Sequence, residues 1–394
     1  MMVTFTKNKM QSILGLRLYR FLSHLFRKIS NHAIRQKYEI VFYCQQPGHW
    51  QNIANIVSAL LIKNPQVKVL LIAGYKNDGY LDNQYPKNLK VIFNLPAHVL
   101  GLLKTKIVYT PVTGLSHECR PRGALLVHTL VSLTSLDGVY SAEMFDEYDY
   151  ILCAGNYHFD DFKRWAVTNP KMQGKILVPA GYPKFDLMLS KAHSLSAQLK
   201  KSRVVIYAPT HVYPVNEKLA SLRNYGEDII EALLGADFEV IFRPHPVSFN
   251  DEDSLLVARI AKKYSINPSF HLDRSQSYFE SYSKANMMVS DLSGTGFTFS
   301  VTFLRPTIFF VPNKDAELGL KGIQFDDRGK IGGVARSISE LINTVESFCI
   351  KDISDDILNY RNETIYNPGS SAEYIVQALP TIIAGSKMPG WVAL

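Results

Sequence analysis

Cysteine is scarce and scattered in this sequence: Cys44, Cys119, Cys153 and Cys349 stand far apart, and no CxxC pair occurs. That spacing excludes a disulfide framework and a structural zinc knuckle, and it favours a reducing compartment. No window reaches the ~18 apolar residues that a membrane span needs. Low-complexity tracts and repeats of solenoid length are also missing. Acidic residues are nearly absent from the first 40 positions, where eight Lys/Arg face only Glu39. That segment carries +7 of the chain's net +8, so the other 354 residues sum to +1. Such a balance excludes a basic nucleic-acid-binding surface spread over the fold.

What the first segment does have is an amphipathic pattern. In "ILGLRLYRFLSHLFRKI", Leu14, Leu18, Phe21, Leu22, Leu25, Phe26 and Ile29 share one helical face. Arg17, Arg20, His24, Arg27 and Lys28 share the other. Arg17 and Arg20 interrupt the apolar stretch too early for a signal peptide. A basic amphipathic helix suits an in-plane anchor on an anionic membrane; a terminal helix docked on its own domain is the plainer alternative.

Beyond it, strand-like runs alternate with helical patterns. Apolar runs occupy 38–43, 67–73, 90–93, 106–112, 149–154 and 175–180, with helices expected over 49–64 and 156–167. A polar, basic stretch in the 190s precedes a fresh series of runs at 204–210, 238–246, 286–290 and 307–312. At 394 residues the chain exceeds one ordinary core. Near-continuous Val/Ile/Leu strands between helices predict parallel sheets covered on both faces. The expected organisation is a basic segment (1–37), a Rossmann-like domain (38–195), a second Rossmann-like domain (203–369) and a C-terminal helix and tail (370–394). The two doubly wound α/β domains are expected to face a central cleft, with ligands beyond the carboxyl ends of their strands.

Four strand ends carry chemistry-bearing residues. "NMMVSDLSGTGFTFSVTFL" breaks from a strand into Ser290, Asp291, Ser293, Gly294 and Thr295 where a helix should begin. Exposed helix N-terminal amides suit a phosphate, with hydroxyls as further donors and glycines admitting close approach. A helix start capped by Asp291 or Ser293 explains the same residues without a ligand. "FEVIFRPHP" ends with Arg243 and His245 braced by two prolines, a guanidinium fork and an imidazole for anionic oxygens. "VIYAPTHVYP" presents Thr210 and His211 at another strand end. In the first half, His128 closes the apolar run of "GALLVHTLVS" and is the leading candidate for a general base, ahead of His117 and His49. No metal-ligand cluster is evident; "DED" (251–253) reads as a helix start.

Together, "YAPT", "RPHP", "SDLSGTGF…RPTIFF", "GYPKFDL" and "NPGSSAEYIVQAL" resemble, in order and approximate spacing, the CDP-glycerol glycerophosphotransferases of teichoic-acid and capsule synthesis. "VHTLVS" occupies the place of that family's Trp-His-Gly-Thr segment, with Val127 and Thr129 as departures on the acceptor side. The resemblance spans roughly residues 40–385. It implies a GT-B fold, His128 as the base for an acceptor hydroxyl, and Arg243 and His245 as contacts to the donor pyrophosphate. Donor phosphates are then expected near Ser293, Gly294 and Thr295, with Thr210, His211, Ser290, Asp291 and Arg305 lining the donor side.

The expected reaction moves a polyol phosphate, glycerol phosphate first, from a CDP-activated donor to a hydroxyl of a lipid-linked glycan, releasing CMP. No cofactor is called for, and nucleic acid is not an expected partner. The expected location is the cytoplasmic face of a bacterial membrane, held peripherally on anionic lipid. Two readings stay open: a GT-B glycosyltransferase using an NDP-sugar, and a non-catalytic scaffold with a vestigial nucleotide site.

Overall fold

The computed structural model describes residues 36–46, 48–74, 88–137, 139–195, 203–212, 217–275, 277–292 and 294–394. The amphipathic helix expected near the N-terminus and Ser293 lie outside the described residues. Among the described residues no helix is long and apolar enough to cross a membrane. The chain divides into two compact units. The first takes the chain up to Thr129, Glu143–Ile151 and Ala378–Pro389; the second takes Leu130–Ala142, Leu152–Gln377 and Gly390–Leu394.

The first unit is built on a parallel sheet. Strands β1 (Ile40–Cys44), β2 (Val69–Ala73), β3 (Leu89–Phe93), β4 (Ile107–Thr110) and β5 (Leu125–Thr129) run in the order β3-β2-β1-β4-β5. Helix α1 (Ala54–Lys63) connects β1 to β2 and buries Ile56, Val57, Leu60 and Leu61. All residues of β1, β2 and β4 are buried, which is why these strands read as unbroken apolar runs. Register sets Thr110 of β4 beside His128 of β5 at the strands' carboxyl ends. Strand β6 (Tyr150–Cys153) divides its residues between the units.

The second unit opens with α2 (Asn156–Thr168), β7 (Ile176–Pro179) and α3 (Pro183–Leu195). It then builds a six-stranded parallel sheet. The strands are β8 (Val204–Tyr207), β9 (Glu239–Phe242), β10 (Phe270–Leu272), β11 (Met287–Ser290), β12 (Thr307–Phe310) and β13 (Gly332–Ala335). Their order, β10-β9-β8-β11-β12-β13, reverses direction of growth at β8/β11, the place where open α/β sheets gather ligands. Helices α4 (Leu222–Gly235), α5 (Ser254–Tyr264), α6 (Phe279–Lys284), α7 (Gly294–Phe303), α8 (Ile323–Asp326), α9 (Ile338–Ile350) and α10 (Ser354–Thr364) belong to this unit, while α11 (Ser371–Ile383) begins in it and ends in the first. Val205, Tyr207, Val240, Phe242 and Val289 pack with Ile229, Ile230 and Leu233 of α4 on one side of the sheet. Ile206, Ile241 and Met288 pack with Phe299 of α7 on the other. The last strand, β14 (Val392–Ala393), pairs antiparallel with β7. Strands β10, β13 and β14 have no counterpart among the apolar runs read from the sequence; each is short, and only one residue of β13 is fully buried.

Candidate functional site

In the second unit, Asp291 directly follows β11 as a buried carboxylate, and five donors converge on it. It accepts from Thr210 N at 2.9 Å, Ser221 N at 2.7 Å, Ser221 Oγ at 2.8 Å, Leu292 N at 2.8 Å and the Thr210 hydroxyl. The carboxylate therefore ties the loop after β8 and the start of α4 to the end of β11. Ser290, equally buried, donates to the Ala208 carbonyl at 2.7 Å. Thr210, Ser290 and Asp291 thus shape the strand ends, and their polar groups are used internally.

Arg243 follows β9 with its side chain 10% exposed. Its guanidinium donates to the Asp273 carboxylate, and to Ser275 Oγ at 3.2 Å and Ser275 O at 3.1 Å. Burial pushes the Asp273 carboxyl up, but hydrogen bonds from Ser275, Ser281 and Arg243 outweigh it and hold the group below its usual range. His245 is exposed, and its Nδ1 accepts Val247 N–H at 3.3 Å. That bond puts the ring proton on Nε2, which becomes a donor. Desolvation, with His211 and Arg243 nearby, holds His245 below its ordinary value, so the neutral ring prevails at pH 7.

Helix α7 begins at Gly294, and the glycines have a structural cause. A Cβ on Gly294 would stand 2.5 Å from the Thr134 methyl, and one on Gly296 would stand 2.8 Å from the Thr307 methyl. Both positions serve close packing of the helix, against the 132–134 loop and against β12, where the sequence pattern suggested room for phosphate oxygens. Thr295 Oγ1 lies 2.6 Å from Tyr282 OH. Tyr282 packs on Tyr278 with ring centroids 5.0 Å apart, and the Arg243 charge acts on both phenols. Arg243 and Thr295 are thereby gathered along one aromatic wall. Lys184 sits over the Tyr278 ring at 4.9 Å, and burial lowers its ammonium to about 8. Sequence reasoning missed Lys184, although it lies inside "GYPKFDL", and missed Asp273, which is 30 residues from its partner. Arg305 is placed elsewhere: its guanidinium donates to the Ser283 carbonyl at 2.9 Å and to Tyr282 and Ala285 at the end of α6. It closes a helix C-terminus.

His211 is buried, with Nδ1 3.3 Å from Ser248 Oγ and 3.1 Å from Asp251 Oδ2. Its ring lies 5.6 Å, centroid to centroid, from that of His245. One atom each from His211, Asp251 and Asp253 falls within 4.8 Å of the others. The sequence hid this cluster because forty residues separate its parts.

The first unit holds His128. Its ring is 0% exposed, edge-on to Phe145 at 5.1 Å and to Tyr148 at 5.0 Å. Neither ring nitrogen meets a partner at good hydrogen-bonding geometry, and the buried Tyr43 hydroxyl is in the same condition, while the Tyr109 and Thr129 hydroxyls have each other as neighbours. Burial drives the His128 pKa down to about 3; the nearby Val112 carbonyl pulls it up and His49 pushes it further down. Of the competing histidines, His117 is exposed and pairs with Glu147 at 3.1 Å. His49 lies near enough to act on His128 electrostatically.

The loop that follows His128 belongs to the second unit and is held at many points. Tyr182 OH donates to Val131 O at 2.7 Å, and Tyr157 OH to Leu133 O at 2.6 Å. His158 Nε2 lies 2.8 Å from Thr134 O, and Asp161 Oδ2 accepts Leu136 N at 2.9 Å. Gln324 Oε1 accepts Ser135 N at 3.0 Å, while Ser135 Oγ accepts Ile323 N at 3.0 Å.

Residues 136–380 match the family model described as CDP-Glycerol:Poly(glycerophosphate) glycerophosphotransferase. A sequence search finds no match among curated proteins. Among solved structures, the chain is similar to the wall teichoic acid polymerase TagF, in a variant soaked with CDPG, at TM-score 0.60 and 14% identity. The match covers 98% of this chain and 99% of the other. It is also similar to the UDP-GlcNAc 2-epimerase of Methanocaldococcus jannaschii, at TM-score 0.59 and 15% identity, over 88% of this chain and 99% of that one. The corresponding enzyme of Neisseria meningitidis matches at TM-score 0.57 and 12% identity, over 88% and 100%. These likenesses bear out an α/β fold of GT-B type.

Proposed function

The chain belongs to the CDP-glycerol:poly(glycerophosphate) glycerophosphotransferase family, and from that premise we propose that it extends or primes a surface glycan with a polyol phosphate. The donor is CDP-glycerol or a close CDP-polyol, and the acceptor is a hydroxyl of a lipid-linked glycan. The hydroxyl oxygen forms a bond to the distal phosphorus, the bond from that phosphorus to the bridging oxygen breaks, and CMP leaves with the electron pair. The proton lost by the acceptor passes to His128, the base that the family resemblance implies. Burial holds the enclosed ring's pKa to about 3, so the acceptor must reach the ring and relieve that burial before it serves as a base. Charge on the nonbridging oxygens is met by Arg243, by the Nε2 donor of His245 and by the start of α7.

The strand end at β9 carries this reading. There, in a chain of this family, Asp273 and Ser275 fix an almost enclosed guanidinium beside an outward imidazole donor. Fixed donors need no reorganisation when charge develops, and in phosphoryl transfer positioning supplies most of the rate. The test is CMP release by the purified chain from CDP-glycerol and CDP-ribitol with a lipid-linked acceptor, in parallel with UDP- and GDP-sugars. CMP formation that needs the acceptor is the expected result. Release from sugar donors alone would move the chain to the glycosyltransferases.

The same reading places the protein at the cytoplasmic face of a bacterial membrane, supported by the basic amphipathic pattern over 14–29. Full-length protein should co-sediment with phosphatidylglycerol vesicles and stay in solution with phosphatidylcholine alone. Equal partitioning in both cases would remove the electrostatic anchor.

A further inference from the structure

We infer that His211, Asp251 and Asp253 form a binding site for one divalent transition-metal ion. The three side chains come from two stretches, the loop after β8 and the start of α5, and each contributes one nitrogen or oxygen to a group spanning no more than 4.8 Å. One imidazole nitrogen with two carboxylate oxygens is a donor set for zinc or manganese, and three protein ligands leave a position for an external oxygen.

An independent observation points to a missing partner at the same place. Asp253 is 2% exposed and stands immediately before α5, yet its side chain makes no capping hydrogen bond to that helix. Its Oδ1 accepts Arg223 Nε at 2.6 Å. Its Oδ2 is enclosed and accepts nothing. A buried carboxylate oxygen left bare is a substantial cost, whereas Asp291 in the same unit shows the usual remedy of saturating both oxygens. A cation held jointly with His211 and Asp251 supplies what Asp253 Oδ2 lacks. Asp251 is already oriented for this: its Oδ1 accepts Asp253 N at 2.9 Å, and its Oδ2 turns to His211. Outer groups that hold ligands in place are a regular feature of metal centres, and Arg223 on Asp253 and Ser248 beside His211 would fill that role. The sequence reading of 251–253 as a helix start accounts for the bond from Asp253 N to Asp251 Oδ1, but not for the approach of His211 or for the bare Asp253 Oδ2.

The test is metal content, which reports on the site whether or not the chain transfers a polyol phosphate. Full-length protein stripped with a chelator is dialysed against Zn2+, Mn2+ or Mg2+ separately, and bound ion is measured by mass spectrometry. One Zn2+ per chain is expected, with Mn2+ weaker and Mg2+ weakest. His211→Ala and Asp251→Asn should each weaken zinc binding at least tenfold while their circular dichroism stays that of the parent. Zinc should raise the melting temperature of the parent and leave both variants unmoved. A parent chain that retains no stoichiometric ion, or variants that bind as the parent does, would overturn the site.

Discussion

The ends of β5 and β9 each present a histidine, and the two could hardly be more differently housed. His128 is enclosed by aromatic rings with both nitrogens idle, and burial takes its pKa to about 3. His245 is exposed, with its tautomer set by a backbone amide and a clamped arginine two residues away. One ring is kept neutral and shut away from solvent; the other is already arranged to give a hydrogen bond. The same residue type thus has opposite properties at the two strand ends because of what surrounds it.

Replacing His128 is the most severe way to challenge that contrast. His128→Phe should cut acceptor-dependent CMP release by about 10²–10⁴-fold, the range for loss of a general base. Its thermal stability should equal or exceed the parent's, because an apolar ring of similar shape leaves no buried nitrogen without a partner. Retained activity would transfer the role to another group, His49 first. Loss of stability instead would mean that the ring nitrogens are satisfied.

Asp291→Asn tests whether the second region's rigidity comes from one carboxylate. Five donors lose their charged acceptor, and urea unfolding should show a loss of about 3 kcal/mol or more. Asparagine retains a single acceptor oxygen, so a loss under ~1 kcal/mol would mean that the hub is dispensable.

A pH series sharpens the comparison further. His128 and His158, with pKa values near 3 and 4 against 6.5 when unfolded, stay neutral in the fold while the unfolded chain protonates. The depressed values make their contribution fully present above 6.5 and progressively lost as pH falls. Between pH 6.5 and 5 each should remove roughly 2 kcal/mol. His128→Phe should halve that combined dependence, and an unchanged slope would place the proton uptake elsewhere. The mildest effect is expected from Lys184→Ala: about a tenfold rise in KM for the CDP-donor with kcat little changed, the signature of binding lost equally in ground and transition states. A drop in kcat instead would put Lys184 on the charge that develops during reaction.

Much of this was legible in the sequence, for identifiable reasons. Strands such as β1 and β2 are buried on both faces, so their residue types had no freedom, and the alternation with helices declared the α/β class. Arg243 and His245 were legible because prolines brace them in one short loop. The groups that give them their properties were not, since Asp273, Ser275 and Tyr282 arrive through later parts of the chain. Gly294 and Gly296 show the converse: the local pattern suggested room for phosphate oxygens, and the fold adds a demand no local pattern shows, neighbouring methyl groups that leave no space for a Cβ. The His211–Asp251–Asp253 group was invisible because no spacing rule joins residues forty positions apart.

The pairing of Arg243 with Asp273 and Ser275 also bears on the sheet itself. Arg243 follows β9, and Asp273 and Ser275 follow β10, the three-residue strand at the sheet's edge. The guanidinium is therefore a clasp that fastens a short edge strand to its neighbour where the backbone ladder has already ended.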